Sequence, residues 1–245
     1  MSIQFSDLTT KNGLIQNCEI LLFGDSGYTQ ISSNPNRLLT FTNLINRALD
    51  EVSGLIMQSD GRWQYDDTNF TDLPIGKTLL ADGQQQYQLS TSQLKIIRVE
   101  IKGLDGKYYR IDPLDQSDIQ NMSLTEYLNS ASRPLHYDLM GDSIYLYPKP
   151  QTGYVTMLEG MKIYYQREPS YFVSTDTTKK PGVASIYHEI VTKIACLNYA
   201  IARQLPQKKD LQEQVAMLKA GISDFYTRRQ LDERPAFRTA KINWN

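Results

Sequence analysis

Residues 97–111 read Ile97-Arg98-Val99-Glu100-Ile101-Lys102-Gly103-Leu104-Asp105-Gly106-Lys107-Tyr108-Tyr109-Arg110-Ile111, and this stretch decides the fold. Ile97, Val99 and Ile101 alternate with Arg98, Glu100 and Lys102, the period of two that a half-buried strand requires. Leu104-Asp105-Gly106 makes the turn, and Tyr109 and Ile111 lie on the partner strand. The same period runs across residues 74–168. Residues 137–139 and 144–146 flank Gly141-Asp142, a two-residue hairpin signal. Pro148 and Pro150 end the second of those strands. Residues 157–166 read as a further long strand with Met161, Ile163 and Tyr165 on one face, and residues 114–128 as short helix and loop. Together they predict a small antiparallel β-domain.

Outside this block the period is helical. Leu14, Ile15, Cys18, Leu21 and Leu22 form a first stripe, stopped by Gly24 at a natural helix C-terminus. Asn34-Pro35 reads as an N-cap followed by proline at the first helical position. Leu38, Phe41, Ile45, Ala48, Val52 and Leu55 then step by three and four to Gln58. After Pro181-Gly182, Ser185 is the expected N-cap of a third helix carrying Ile186, Ile190, Ile194, Leu197 and Ile201, and Pro206 stops it. A fourth runs over residues 207–228 on Leu211, Val215, Leu218, Ile222 and Phe225. Each helix has one apolar stripe to bury.

The expected fold is therefore α+β: a four-helix bundle with an antiparallel β-domain inserted between the second and third helices, plus an extended C-terminal arm. The domain boundaries follow: residues 1–73 and 180–228 for the bundle, 74–179 for the β-domain and 229–245 for the arm.

Composition bounds the function. The 245 residues suffice for a core without staples. Lys and Arg number 26 against 27 Asp and Glu, for a net charge of −1 and a pI of about 6.1. That lacks the basic excess of a generic nucleic-acid binder. A mean hydropathy of −0.45 and the absence of any apolar run near 18 residues argue for a soluble protein without a membrane span. The first residues lack the basic and apolar regions of a signal peptide. Tyrosine is the unusual residue, with 16 copies against 7 Phe and 2 Trp. It offers area with a polar handle, which suits strands and interfaces.

Candidate chemistry is thin. Cys18 and Cys196 sit in helical patterns with no metal-ligand spacing, so neither a disulfide framework nor a zinc site is expected. Asp66-Asp67, with Asn69 and Asp72, could meet a divalent cation, but it lacks the glycine and distal glutamate of an EF-hand and reads better as a turn. His188 and Cys196 on one helix stand about 80° apart around it and about 12 Å along it, too far for a nucleophile–base pair. His136 follows Pro134 on a strand, with no partner evident. Gly24-Asp25-Ser26-Gly27 lacks both the GxSxG pattern and the strand–turn–helix setting of a nucleophile elbow. No Walker, GxGxxG or HExxH motif occurs. The chain reads as no enzyme, with no cofactor or metal.

Two features point to partners. Residues 228–245 carry five basic against two acidic residues, with Phe237, Ile242 and Trp244 standing singly. Burying those anchors would gain about 1.5–3 kcal/mol each, whereas ordering each residue of the arm costs about 1–2 kcal/mol. An arm of this composition is expected to be mobile alone and to order on a partner. Arg229, Arg234, Phe237, Arg238, Ile242 and Trp244 are its candidate contacts. On the hairpin, Tyr145 and Tyr147 point opposite to Ile144 and Leu146, which predicts an outward aromatic face.

The order of these pieces also carries a family likeness. It comprises residues 43–48, Asp66-Asp67-Thr68-Asn69, Leu73-Pro74, Gly83-Gln84-Gln85-Gln86-Tyr87-Gln88-Leu89, Ile97-Arg98-Val99 and Gly106 before Ile111-Asp112-Pro113. It continues with Pro134 and Tyr137, Gly141-Asp142-Ser143-Ile144-Tyr145-Leu146-Tyr147-Pro148, Tyr164-Tyr165, Asp176-Thr177, Pro181-Gly182 and Tyr187-His188. Across residues 40–200 the chain resembles the head-to-tail connector, or tail adaptor, proteins of short-tailed and crAss-like bacteriophages. The resemblance implies a virion neck protein, assembled in the host cytoplasm into a ring of twelve copies under the portal protein. DNA would pass through its lumen without specific binding. By the family pattern the arm would contact the portal or a neighbouring copy. The β-domain, with Tyr145 and Tyr147, would face the tail or a second ring protein. A rival reading from the residues is a carbohydrate- or receptor-binding tail module using the tyrosine face; a small hydrolase is disfavoured by the missing nucleophile–base pair.

Overall fold

The computed structural model describes residues 3–24, 30–61, 63, 75–90, 93–115 and 123–228. Among them are five α-helices: α1 (Leu14–Phe23), α2 (Pro35–Ser59), α3 (Leu124–Asn129), α4 (His188–Arg203) and α5 (Lys208–Arg228). The strands are β1 (Ile75–Thr78), β2 (Gln86–Gln88), β3 (Gln93–Lys102), β4 (Tyr108–Pro113), β5 (Ala131–Ser132), β6 (His136–Met140), β7 (Ser143–Tyr147), β8 (Lys149–Pro150) and β9 (Met161–Arg167). The chain divides into two compact units, residues 1–70 with 169–245, and residues 71–168.

In the helical unit, α4 packs on α1, α2 and α5, and α2 also packs on α5. The side chain of Asn34 caps α2 by accepting from the N–H groups of Asn36 and Arg37, each at 3.1 Å. Gly24 ends α1 at a φ of 79°, a left-handed conformation that needs no Cβ. Residues 169–179, which the expected boundaries assign to the β-domain, cluster with this unit. Phe172 stacks on Phe5 at 4.9 Å, and the Asn46 amide bonds both the N–H and the carbonyl of Phe172.

Two helix stripes differ from expectation. Residues Ser185–Tyr187 form a 3-10 turn, so α4 starts at His188 and Ile186 stays 64% exposed. The stripe actually buried is Ile190, Val191, Ile194, Ala195, Cys196 and Ala200, with Ile201 left outside. On α5, Tyr226 replaces Phe225 in the core, because its Oη accepts the Ala184 N–H at 3.0 Å. Glu19 is fully buried on α1, with Oε1 accepting from the N–H groups of Ile31 and Ser32 at 2.8 and 2.7 Å. That carboxylate substitutes for water to the chain turning into α2.

The β-unit is a seven-stranded sheet in the order β1-β9-β3-β4-β6-β7-β2, with β5 and β8 forming a separate pair. It is not wholly antiparallel: β4 runs parallel to β6, and β5 parallel to β8. A parallel neighbour needs a crossover connection, and the chain between β4 and β6 contains α3 and β5 rather than a hairpin turn. Gly106 and Gly141, at φ of 79° and 58°, sit in the turns of the β3–β4 and β6–β7 hairpins. Val99, Ile101, Ile111, Tyr137, Ile144, Leu146, Met161 and Ile163 build the core with Leu80, Tyr87 and Val155.

The alternation at the start of residues 97–111 is broken by a bulge. The β3–β9 register shifts between Ile96 and Arg98, leaving Ile97 39% exposed while Val99 and Ile101 are fully buried. The predicted long strand is shorter too: β9 begins at Met161, since residues 157–160 close a turn with a Gly160 N–H to Met157 carbonyl bond of 3.2 Å.

Candidate assembly surfaces

The polar residues singled out for chemistry serve the core. His188 is 2% exposed at the start of α4. The Ile3 N–H reaches its Nδ1 at 3.0 Å, and a backbone N–H can only donate, so the ring proton sits on Nε2, which donates to the Val183 carbonyl at 3.1 Å. Burial lowers its pKa from the usual histidine value, against a smaller raising effect of the Val183 bond. It latches the first residues and the chain before α4 onto the helical core.

Cys18 of α1 and Cys196 of α4 are free, fully buried thiols. Burial, reinforced by Cys196, pushes the Cys18 thiol well above its usual range, the opposite of a reactive cysteine. His136 has the partner its sequence neighbourhood did not reveal: Tyr127 Oη lies 2.6 Å from Nδ1. Tyr127 comes from α3, a separate element, so no local pattern announces the pair. Among the described residues no group of three His, Cys, Asp or Glu could hold a metal ion, and no helix is long and apolar enough to cross a membrane. The Asp66-Asp67 cluster and Gly24-Asp25-Ser26-Gly27 beyond Gly24 lie outside the described residues.

The expected outward tyrosine face is only half present. Tyr145 is half-buried, but Tyr147 is 7% exposed. Helix α3 packs on β7, and Tyr127 Oη also approaches the Tyr147 carbonyl at 3.5 Å. Burial pushes the Tyr147 phenol above its ordinary pKa. The reason for the miss is physical: alternation places Tyr147 opposite Leu146, but cannot say that a helix from elsewhere covers that side.

A different surface is exposed and apolar. Leu80 N–H bonds the Met157 carbonyl at 2.9 Å, Thr156 N–H bonds the Lys102 carbonyl at 3.0 Å, and Gly103 bridges Val155. These bonds gather Leu79, Leu104, Tyr154 and Leu158 at one end of β1, β3 and β9, with exposures of 62%, 63%, 55% and 68%. Chain entry at Ile75 and exit at Arg167 lie at the opposite end of the same strands. Clustered exposed apolar side chains mark an interaction surface more often than scattered ones. Sequence reasoning missed it, although each residue flanks a turn, because hydrogen bonds between distant segments bring them together.

The arm contacts Arg229, Arg234, Phe237, Arg238, Ile242 and Trp244 lie outside the described residues. The SU10 adaptor protein family matches residues 14–240, spanning both compact units and most of the arm. The chain belongs to the SU10 adaptor protein family. No curated protein matches it. Family membership makes this adaptor a structural component of a phage particle that works through other structural proteins. Such a family is typically non-enzymatic.

Proposed function

We propose that this adaptor is the head-to-tail connector of a short-tailed or crAss-like bacteriophage. Copies of the chain build a closed ring under the portal protein, of the twelve copies that the family pattern implies. The helical unit acts as a four-helix bundle of α1, α2, α4 and α5 within that ring. Residues 229–245 reach the portal or the neighbouring copy, through Arg229, Arg234, Phe237, Arg238, Ile242 and Trp244. The β-unit meets the tail or a second ring protein, with the Leu79–Leu104–Tyr154–Leu158 tip as its apolar contact and Tyr145 and Tyr147 of β7 on the tail-facing side. DNA passes through the lumen without sequence-specific binding.

The observation that carries this reading is the extent of the family match, residues 14–240, which takes in both units and most of the arm. The carbohydrate-binding alternative is weakened by the burial of Tyr147, since a stacking platform needs both rings open. A cryo-electron-microscopy reconstruction of the virion neck tests the proposal. The expected result is this chain in the ring beneath the portal, with Trp63, Trp244 and the Tyr164-Tyr165 pair fixing the register. A ring built there by another chain would overturn it.

A further inference from the structure

The near-neutral charge of the chain conceals an uneven distribution. Residues 71–168 hold ten Lys and Arg against twelve Asp and Glu, yet six of those cations share one sheet face. The register places Lys77 of β1 beside Lys162 of β9, Lys162 beside Glu100 of β3, and Glu100 beside Arg110 of β4, in a single row across four strands. One pleat away on either side are Arg98, opposite Tyr164, and Lys102, opposite Tyr108. Lys95, opposite Gln166, extends the set along β3.

The carboxylates near these cations are already engaged. Glu100, buried beneath the row, pairs with Arg98 at 2.7 Å and Lys162 at 3.4 Å. Asp112 pairs with Arg110 at 2.8 Å, and Glu159 with Lys77 at 2.9 Å. Among the described residues, six cations against these three carboxylates and Asp138, farther along the same face on β6, leave a net positive field. Lys77, Arg98 and Arg110 keep side-chain exposures of 45%, 46% and 61% despite their pairs.

We propose that this face binds the phosphate backbone of duplex DNA without sequence preference. Four of the six cations are lysines, and lysine is depleted at protein–protein interfaces but suited to phosphate contact. The aromatic rings favour a duplex over a single strand. Tyr108 lies under the Lys162 ammonium at 3.6 Å and near Lys102 at 5.8 Å, so its face is occupied and not open for base stacking. The face belongs to a single chain, so the inference stands apart from ring formation, and its failure leaves the connector reading intact.

The test is fluorescence anisotropy of a labelled 30-base-pair duplex of mixed sequence, titrated with the full chain between 50 and 200 mM NaCl. Binding should weaken steeply with salt. The variant Lys95→Gln/Arg110→Gln should flatten the log–log salt slope by up to about 1.8, at roughly 0.9 per lost phosphate contact. The pair Lys208→Gln/Lys209→Gln, the same charge change on α5, should leave the slope unaltered. Lys95→Arg/Arg110→Lys should restore it, which separates loss of contact from loss of fold. No binding at 50 mM NaCl, equal effects of the two Gln pairs, or tighter binding of a single strand of equal length would overturn the proposal. So would self-association in sedimentation that Lys95→Gln/Arg110→Gln abolishes, since the face would then belong to a second copy.

Discussion

His188 is a neutral imidazole held between two backbone groups of opposite character. Its Nδ1 accepts from Ile3 and its Nε2 donates to Val183, so protonation removes the acceptor and strands a donor. Because burial depresses its folded pKa, the unfolded chain takes up the proton first. The stability it supports is present above the unfolded value of about 6.5 and is lost as pH falls through the folded value. Thermal melts should therefore show a decline from pH 7 downward that begins before the carboxylates titrate. His188→Gln should melt lower at pH 7 but flatten that decline; an identical pH profile for the two proteins would refute the latch.

At the scale of elements, the bulge in β3 separates residues that look equivalent. Ile97 and Ile101 both fit the period of two, but Ile101 is fully buried and Ile97 is 39% exposed. Ile101→Ala should cost about 2–5 kcal/mol as a core truncation, and Ile97→Ala within about 1 kcal/mol as a surface change. Equal losses in urea unfolding would mean the bulge is absent in solution. The same sheet shows why hairpin reasoning reaches only part of a topology. The β3–β4 and β6–β7 pairs follow from Gly106 and Gly141, which local turn chemistry requires. The parallel β4–β6 pair has no such signal, because it closes over the intervening helix.

For the whole molecule, the balance of terms in the arm makes a prediction about assembly. Phe237, Ile242 and Trp244 can return about 1.5–3 kcal/mol each on burial, less than the cost of ordering the seventeen residues 229–245. Deleting residues 229–245 should therefore leave the melting temperature of the free protein within about 2 °C, while abolishing capture by the portal protein of the same phage. Retained capture would refute the arm's role, and a large loss of stability would show that the arm packs on its own chain. Arm and apolar tip supply separate contacts in this scheme, so Leu104→Asp/Leu158→Asp leaves portal capture untouched.

The sequence by itself determined the kind of each major element and the insertion of strands between helices. Periods of 3.6 and 2, an Asn34-Pro35 start and glycines at turns are local, so each is set within a few residues. It also carried a likeness to phage adaptor proteins, and at that level the family match over residues 14–240 agrees with it. Only the tertiary structure decided that Tyr147 is covered by α3, that Tyr226 rather than Phe225 enters the core, and that β4 lies parallel to β6. It alone gathered Leu79, Leu104, Tyr154 and Leu158 at one tip and six cations on one sheet face. The reason is the same in each case: a pattern fixes which side of its own element a residue occupies, whereas exposure depends on which distant element packs against that side.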